Sequence, residues 1–150
     1  MSEIYVCYYW SNLTIYTDYP LREEYGHCTY YPEYDAAEIY MQSGHDRPTL
    51  IHELGHVWQG MHRNDLETNI KWPTNHLGKS SRREDFPEAL RIALSGLCCC
   101  ADESILYKVK QGITGLYQEE IPKEAKEAFV QRCKDEVVRL IGRLPTVPTI

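Results

Sequence analysis

The chain has 150 residues, of which 43% are apolar and 25% charged, which is typical of one globular domain and not of a disordered segment or a coiled coil. No apolar run approaches the ~18 residues that a membrane helix needs. The 16 basic and 22 acidic residues give a net charge of −6, which disfavours nucleic acid as a partner because phosphate binding needs clustered Lys and Arg. We therefore expect one domain over residues 1–145, an unstructured tail over 146–150, and neither a nucleic-acid nor a membrane partner.

The N-terminal residues and the cysteines bear on the cellular compartment. Met1 to Tyr5 carry neither the basic segment nor the apolar stretch of a signal peptide. Three of the six cysteines are consecutive, Cys98 to Cys100, and adjacent cysteines do not bridge each other without strain. These features predict a cytoplasmic protein with reduced thiols. An effector exported without a signal peptide would show the same features.

The first forty residues predict an antiparallel sheet. Ten of the twelve tyrosines precede residue 41. Residues 4–10 and 13–16 are rich in β-branched and aromatic side chains and flank a two-residue turn. Further strands are expected at 27–31 and 37–41. Tyrosine suits a half-exposed sheet because its ring packs while its hydroxyl meets water; an aromatic face that binds carbohydrate or peptide is the alternative.

Three helices are expected after the sheet. Pro48 suits a first helical turn, and this helix should run over 48–61. A second helix is expected over about 84–101, and a third should open at Pro122. The stretch 62–83 shows little periodicity and should form a long loop. The predicted fold is therefore a small α+β domain in which the sheet packs on the first helix, with two further helices.

The sequence HELGH at residues 52–56 lies within the first predicted helix. Residues four apart share a helix face, so His52 and His56 can bind one cation. Glu53 would project beside that ion, where it can act as the general base on a metal-acidified water. Imidazole nitrogen suits Zn²⁺ best among the common ions, and the spacing alone is also compatible with Fe, Ni or Mn. The motif therefore predicts a site for one zinc ion; two stacked surface histidines are the alternative.

A catalytic zinc site has three protein ligands and one open position, and several residues are candidates for the third ligand. Glu84 and Glu88 lie four apart, so one can bind the metal while the other accepts a hydrogen bond from a ligand histidine. Acidic residues also gather at helix N-termini because of the helix dipole. His62 follows His56 at the metzincin spacing, but Gln59 stands where metzincins have glycine. The consecutive cysteines complete the candidates.

A family resemblance follows from two stretches taken together. HELGHVWQ at residues 52–59, followed by EDFPEAL at residues 84–90, resembles the gluzincin zinc metallopeptidases. It is most similar to the catalytic domain of the anthrax lethal factor-like group, where a Glu-x-Phe-Ala-Glu-Ala-Phe stretch follows the metal helix. The resemblance implies a zincin-like domain in which Glu84 binds zinc and Glu88 supports the site without binding the ion.

The chain departs from that pattern at three places. Pro87 stands where alanine is usual, and Leu90 stands where an aromatic residue is usual. The tyrosine that stabilises the transition state in the family has no evident counterpart. A donor to the oxyanion is needed, and His76 is the first candidate, with Tyr107 and the loop tyrosines behind it. An exposed loop histidine without a catalytic role is the alternative for His76.

The resemblance also implies a substrate and an activity. We expect a zinc-dependent peptidase, an endopeptidase before an exopeptidase, that acts on peptide or protein substrates. In gluzincins the strand before the metal helix commonly pairs with extended substrate, so Ile39, Tyr40 and Met41 are expected to form that edge strand. A catalytically inactive metal-binding interaction protein on the same scaffold is the alternative. Another metal-dependent hydrolase, or a motif without function, is the third reading.

Overall fold

The computed structural model describes residues 2–6, 12–43, 46–61, 82–97 and 123–147. Over these ranges the chain is a small α+β domain, which confirms the predicted fold class at that level. None of the helices in these ranges is both long and apolar enough to cross a membrane. The elements are β1 (Ser2–Val6), β2 (Asn12–Thr17), β3 (Gly26–Tyr31), β4 (Ala36–Met41), α1 (Arg47–Met61), a 3-10 turn (Arg82–Glu84), α2 (Asp85–Ser95) and α3 (Lys123–Ile141).

The four strands form one mixed sheet in the order β1-β2-β4-β3. β1 pairs antiparallel with β2, and β3 pairs antiparallel with β4. β2 and β4 run parallel, so the predicted antiparallel sheet is wrong at its central pair. The cause is the connection over residues 18–25, which carries the chain past the position of β4 to the sheet edge. The β3–β4 hairpin then folds back and places β4 beside β2.

The position of β4 also corrects the predicted substrate strand. Ile39 is paired with Ile15 of β2 on one side and with Cys28 of β3 on the other. Ile39, Tyr40 and Met41 therefore belong to a central strand, and neither edge of that strand is free to receive a substrate. Strand β3 lies at the edge of the sheet and packs against α1.

The sheet and the helices share one hydrophobic core. Side chains of β2 and β4 alternate between the core and the opposite face, as expected for strands covered on one side. Helix α1 packs on β3 and β4, and α2 packs between α1 and α3. The buried apolar residues from the sheet are Leu13, Ile15, Ala37, Ile39 and Met41, and those from the helices include Leu50, Ile51, Leu54, Val57, Phe86, Leu90, Ile92, Phe129 and Val137.

Helix α1 begins and ends close to its predicted bounds. Asp46 caps its N-terminus: Oδ1 accepts the backbone N–H of Thr49 at 3.2 Å, and Oδ2 accepts the Thr49 hydroxyl at 2.6 Å. Pro48 lies in the first turn, where its missing N–H leaves no helical hydrogen bond unmade. Pro48 therefore suffices to place the start of this helix from sequence, and the Asp46 cap is an addition from the structure.

The other two helices agree with the prediction in part. Helix α2 ends at Ser95 and not near residue 101, because Gly96 adopts φ +77° and its N–H bonds the carbonyl of Ile92 at 2.8 Å. Helix α3 runs as predicted and stops before Gly142, which adopts φ +83°. Within the predicted unstructured tail, Val147 belongs to no helix or strand but is buried in the hydrophobic core at 7% exposure, and residues 148–150 lie outside the described residues.

Candidate metal centre

The candidate site lies where α1 meets the first turn of α2. Gly55 makes this contact possible: a Cβ there would lie 2.5 Å from the Cα of Pro87 and 2.9 Å from its Cβ. Gly55 stands between the two histidines of HELGH, and Pro87 stands between the two glutamates of EDFPE. The close contact of the two backbones therefore holds the histidines opposite the glutamates. Pro87, a departure from the family pattern, is one half of this contact.

Three of the predicted site residues converge. His52 Nε2 lies 2.8 Å from Glu84 Oε2, and His56 Nε2 lies 3.3 Å from the same oxygen. The three candidate ligand atoms all lie within 4.8 Å of one another. Each of the three side chains is partly exposed, so the cluster opens to solvent. Two imidazole nitrogens and one carboxylate oxygen form a donor set that Zn²⁺ accepts, and this group could hold a metal ion.

Glu88 orients His52 from the side away from Glu84. His52 Nδ1 lies 2.6 Å from Glu88 Oε2, so the ring is held at both of its nitrogens. Arg91 donates from Nε to the same Glu88 oxygen at 3.0 Å and from its terminal nitrogen to Glu88 Oε1 at 3.3 Å. Because the Glu88 and Arg91 side chains are only 4% and 8% exposed, solvent screens this pair little. Arg91 was not predicted, although its position three residues after Glu88 is a usual spacing for a helical ion pair.

Gln59 holds His56 in the same manner. Its side-chain oxygen lies 2.8 Å from His56 Nδ1, and its nitrogen donates to the backbone carbonyl of Arg83 at 2.8 Å. The ring nitrogens that face Glu84 are thus the Nε2 atoms of both histidines. Gln59 was considered from sequence only as a departure from the metzincin pattern, so its contact with His56 was missed.

Glu53 lies beside the cluster and against the edge strand. Its side chain is buried, with a residue exposure of 7%. A Cβ at Gly26 of β3 would lie 3.0 Å from Glu53 Cγ and 3.2 Å from Glu53 Oε1, so any larger residue there would crowd the Glu53 side chain. Burial raises the pKa of Glu53 above its ordinary value. The Glu53 carboxylate is therefore a stronger base than an exposed glutamate.

The charges of the cluster are complementary. Hydrogen bonds from His52 and His56 hold the pKa of Glu84 well below its usual range. Burial raises the pKa of Glu88, but hydrogen bonds from His52 and Arg91 outweigh it and lower that pKa to about 2. Burial lowers the pKa of His52, but its hydrogen bonds to Glu84 and Glu88 outweigh it and raise that pKa to about 9. The metal-free cluster therefore holds a proton that a bound cation would displace.

The structure does not describe the remaining sequence candidates. His62 and His76 lie outside the described residues, as do Tyr107 and the consecutive cysteines Cys98 to Cys100. Their predicted roles stay predictions. Within the described residues, His52, His56 and Glu84 are the group with the spacing of a metal site.

Comparison with known proteins identifies no relative. No protein-family model, curated protein or solved structure matches the chain. The gluzincin resemblance therefore stays a prediction from the motifs, and the function is inferred from the site.

Proposed function

We propose that the protein is a zinc-dependent peptidase on a zincin-like scaffold, with the ion held by His52, His56 and Glu84. The convergence of these three side chains, from α1 and from the 3-10 turn that precedes α2, carries the proposal. It is supported by the hydrogen bonds at both Nδ1 atoms, which turn the Nε2 atoms toward Glu84. Buried partners of this kind are the usual support of a metal-binding histidine.

The chain also supplies a base at the right place. When bound, zinc supplies a Lewis acid that polarises a carbonyl and lowers the pKa of a water. Glu53 follows His52 in the same helical turn and lies buried beside the cluster. Its carboxylate would take a proton from the attacking water and give it to the leaving amine. Burial raises the pKa of this carboxyl above its ordinary value, which makes the carboxylate a stronger base for the first transfer.

Strand β3 is the edge on which we propose that the substrate lies. Gln42 donates its N–H to the carbonyl of Tyr25 at 3.0 Å, so Gln42 and Tyr25 are a hydrogen-bonded pair next to the β3–β4 ladder. In an antiparallel ladder, hydrogen-bonded and non-hydrogen-bonded residue pairs alternate. The backbone N–H and C=O groups of Gly26, Cys28 and Tyr30 therefore point away from β4. No described strand pairs with this edge. An extended peptide that adds to it would pass beside Glu53, next to Gly26.

The proposed activity is tested by metal analysis together with a peptide library. We expect one zinc ion per chain, cleavage of library peptides, loss of cleavage on chelation, and recovery on addition of zinc. A protein that binds one zinc ion and cleaves no peptide would favour the alternative of a metal-binding interaction protein. A protein that binds no zinc would contradict both.

A Gly26→Ala substitution tests the placement of Glu53. The new Cβ would approach Thr49 Cγ2 to 2.6 Å and Glu53 Cγ to 3.0 Å, so both side chains must shift. Because a displacement of about 1 Å can reduce catalysis about 10²-fold, we expect kcat to fall about 10- to 100-fold while zinc affinity is unchanged. Steady-state kinetics and zinc competition measure the two quantities.

The matched control is Thr29→Ala, on the same strand but on the face opposite to α1. It should leave kcat within about twofold of the wild type, as expected for a surface change away from the site. Unchanged kcat in the Gly26→Ala variant would show that Glu53 does not act from its position beside β3.

A further inference from the structure

The side chain of Gln59 is fixed by two contacts on opposite sides of its amide. Gln59 is 4% exposed and lies one turn after His56 on α1. Its Nε2 donates to the backbone carbonyl of Arg83 at 2.8 Å, and its Oε1 lies 2.8 Å from His56 Nδ1. Burial, the short distances and the two-sided contact leave this amide one orientation.

The hydrogen-bonding capacity of these groups determines where His56 carries its hydrogen. A backbone carbonyl only accepts, so the NH₂ group of Gln59 must face Arg83. The amide oxygen then faces His56 and also only accepts, so Nδ1 of His56 must be the donor. The ring nitrogen left to bind a cation is therefore Nε2, which lies 3.3 Å from Glu84 Oε2.

The two candidate histidine ligands thus depend on different acceptors. His52 has an ionised carboxylate, Glu88, held by Arg91. Among the described residues, the acceptor at Nδ1 of His56 is the neutral amide of Gln59. A neutral acceptor orients the ring without adding charge. Removing it should therefore change zinc affinity by altering the orientation of the His56 ring and the nitrogen that carries its hydrogen.

We infer that Gln59 is a positioning residue of the metal centre, which holds His56 with Nε2 turned toward the ion. The inference rests on the proposed zinc site and deepens it. It does not require that the site cleaves peptides.

The test compares Gln59→Leu with Gln59→Glu in the full chain. Leucine has a similar size and no acceptor, so we expect the zinc dissociation constant, measured by chelator competition, to rise about 10- to 100-fold. Glutamate restores an acceptor for His56 Nδ1 but cannot donate to Arg83, so its zinc affinity should lie within about threefold of the wild type. A matched control is Gln131→Leu on the exposed side of α3, where Gln131 bonds Asp135; it should bind zinc like the wild type.

Nuclear magnetic resonance of the zinc-loaded proteins measures the exchange of the His56 Nδ1 proton, which should not change if Gln59 had a purely structural role. The Nδ1-bound proton of His56 should be protected from exchange in the wild type and in Gln59→Glu, and should exchange rapidly in Gln59→Leu. Thermal unfolding of the metal-free variants shows which are folded. If Gln59→Leu does not fold, the Gln59→Glu affinity and the His56 resonance decide the outcome.

Three results would overturn the inference. Wild-type zinc affinity in folded Gln59→Leu would show that the amide does not position His56. Equal weakening in Gln59→Glu and Gln59→Leu would assign the effect to the Arg83 contact. Absence of zinc binding by the wild type would remove the site itself. Failure of the proposed function looks different, because the wild type would then bind zinc and cleave no peptide while the affinity differences remained.

Discussion

The Glu53→Gln variant should bind zinc with wild-type affinity and cleave peptides about 10²- to 10⁴-fold more slowly, which is the usual contribution of a general acid–base. Glutamine has the size and shape of glutamate, so the buried position against Gly26 remains filled. It cannot take a proton from water, and Glu53 is not one of the three converging ligands. The loss should therefore appear in kcat and not in metal content.

The measurement is kcat/KM on the best library peptide, with zinc content determined on the same samples. Glu38→Gln is the matched control: Glu38 lies on the opposite face of the sheet, where it accepts hydrogen bonds from Tyr31 and Tyr40 at 2.8 Å each. This control should keep full activity. A zinc-loaded Glu53→Gln protein with wild-type kcat/KM would rule out Glu53 as the base.

The Gly55→Ala variant should lose both stability and zinc affinity. Its Cβ would lie 2.5 Å from the Cα of Pro87, and a backbone atom cannot move without separating α1 from α2. Overpacking of this kind costs about 1–3 kcal/mol. An alanine in place of a helical glycine normally contributes about 1 kcal/mol in the stabilising direction, so a net loss isolates the clash. Zinc affinity should fall as well because the histidines and glutamates lie on different helices.

Urea denaturation of the metal-free protein, with zinc competition, measures these effects. The comparison is Gly60→Ala near the end of α1, whose Cβ would approach Cδ1, Cγ and Cβ of Tyr30 to 2.6, 2.7 and 3.0 Å. This variant should also lose stability, because Cγ and Cβ are held close to the strand backbone, but it should keep its zinc affinity because Tyr30 is not part of the cluster. Greater stability of Gly55→Ala than of the wild type would contradict the close approach of the two helices.

Local sequence features were enough to place the metal helix. Pro48 and the apolar spacing predicted α1, and the helical period placed His52 and His56 on one face. The resemblance to a known motif put Glu84 and Glu88 opposite them, and the structure brings both glutamates to His52. These features depend on neighbours a few residues apart, which is why sequence could predict them.

The arrangement of the sheet depends on contacts that sequence patterns do not contain. The strand at 37–41 has the same composition whether it is central or at an edge. Its pairing with both β2 and β3 follows from the path of residues 18–25. The end of α2 was missed because a left-handed glycine, Gly96, stops the helix before the apolar pattern ends.

The contacts of Gln59 and Arg91 were also beyond local patterns, although the support of His52 by Glu88 was predicted. The contact between Gln59 and the Arg83 carbonyl spans 24 residues, so nothing near Gln59 indicates it. Arg91 is an ordinary helix residue until Glu88 is known to face His52. Residues that orient a ligand carry no motif of their own, and their roles become visible only once the helices are packed.

X-ray absorption spectroscopy of the zinc-loaded wild-type protein is the most direct test of the proposed centre. We predict one zinc ion per chain with two imidazole nitrogens and carboxylate or water oxygen at about 2.0–2.2 Å, and no sulfur. The Glu84→Gln variant should bind zinc more weakly and alter the oxygen contribution. A sulfur neighbour at about 2.3 Å, or a third imidazole in place of the carboxylate, would contradict the assignment of His52, His56 and Glu84 as the ligands.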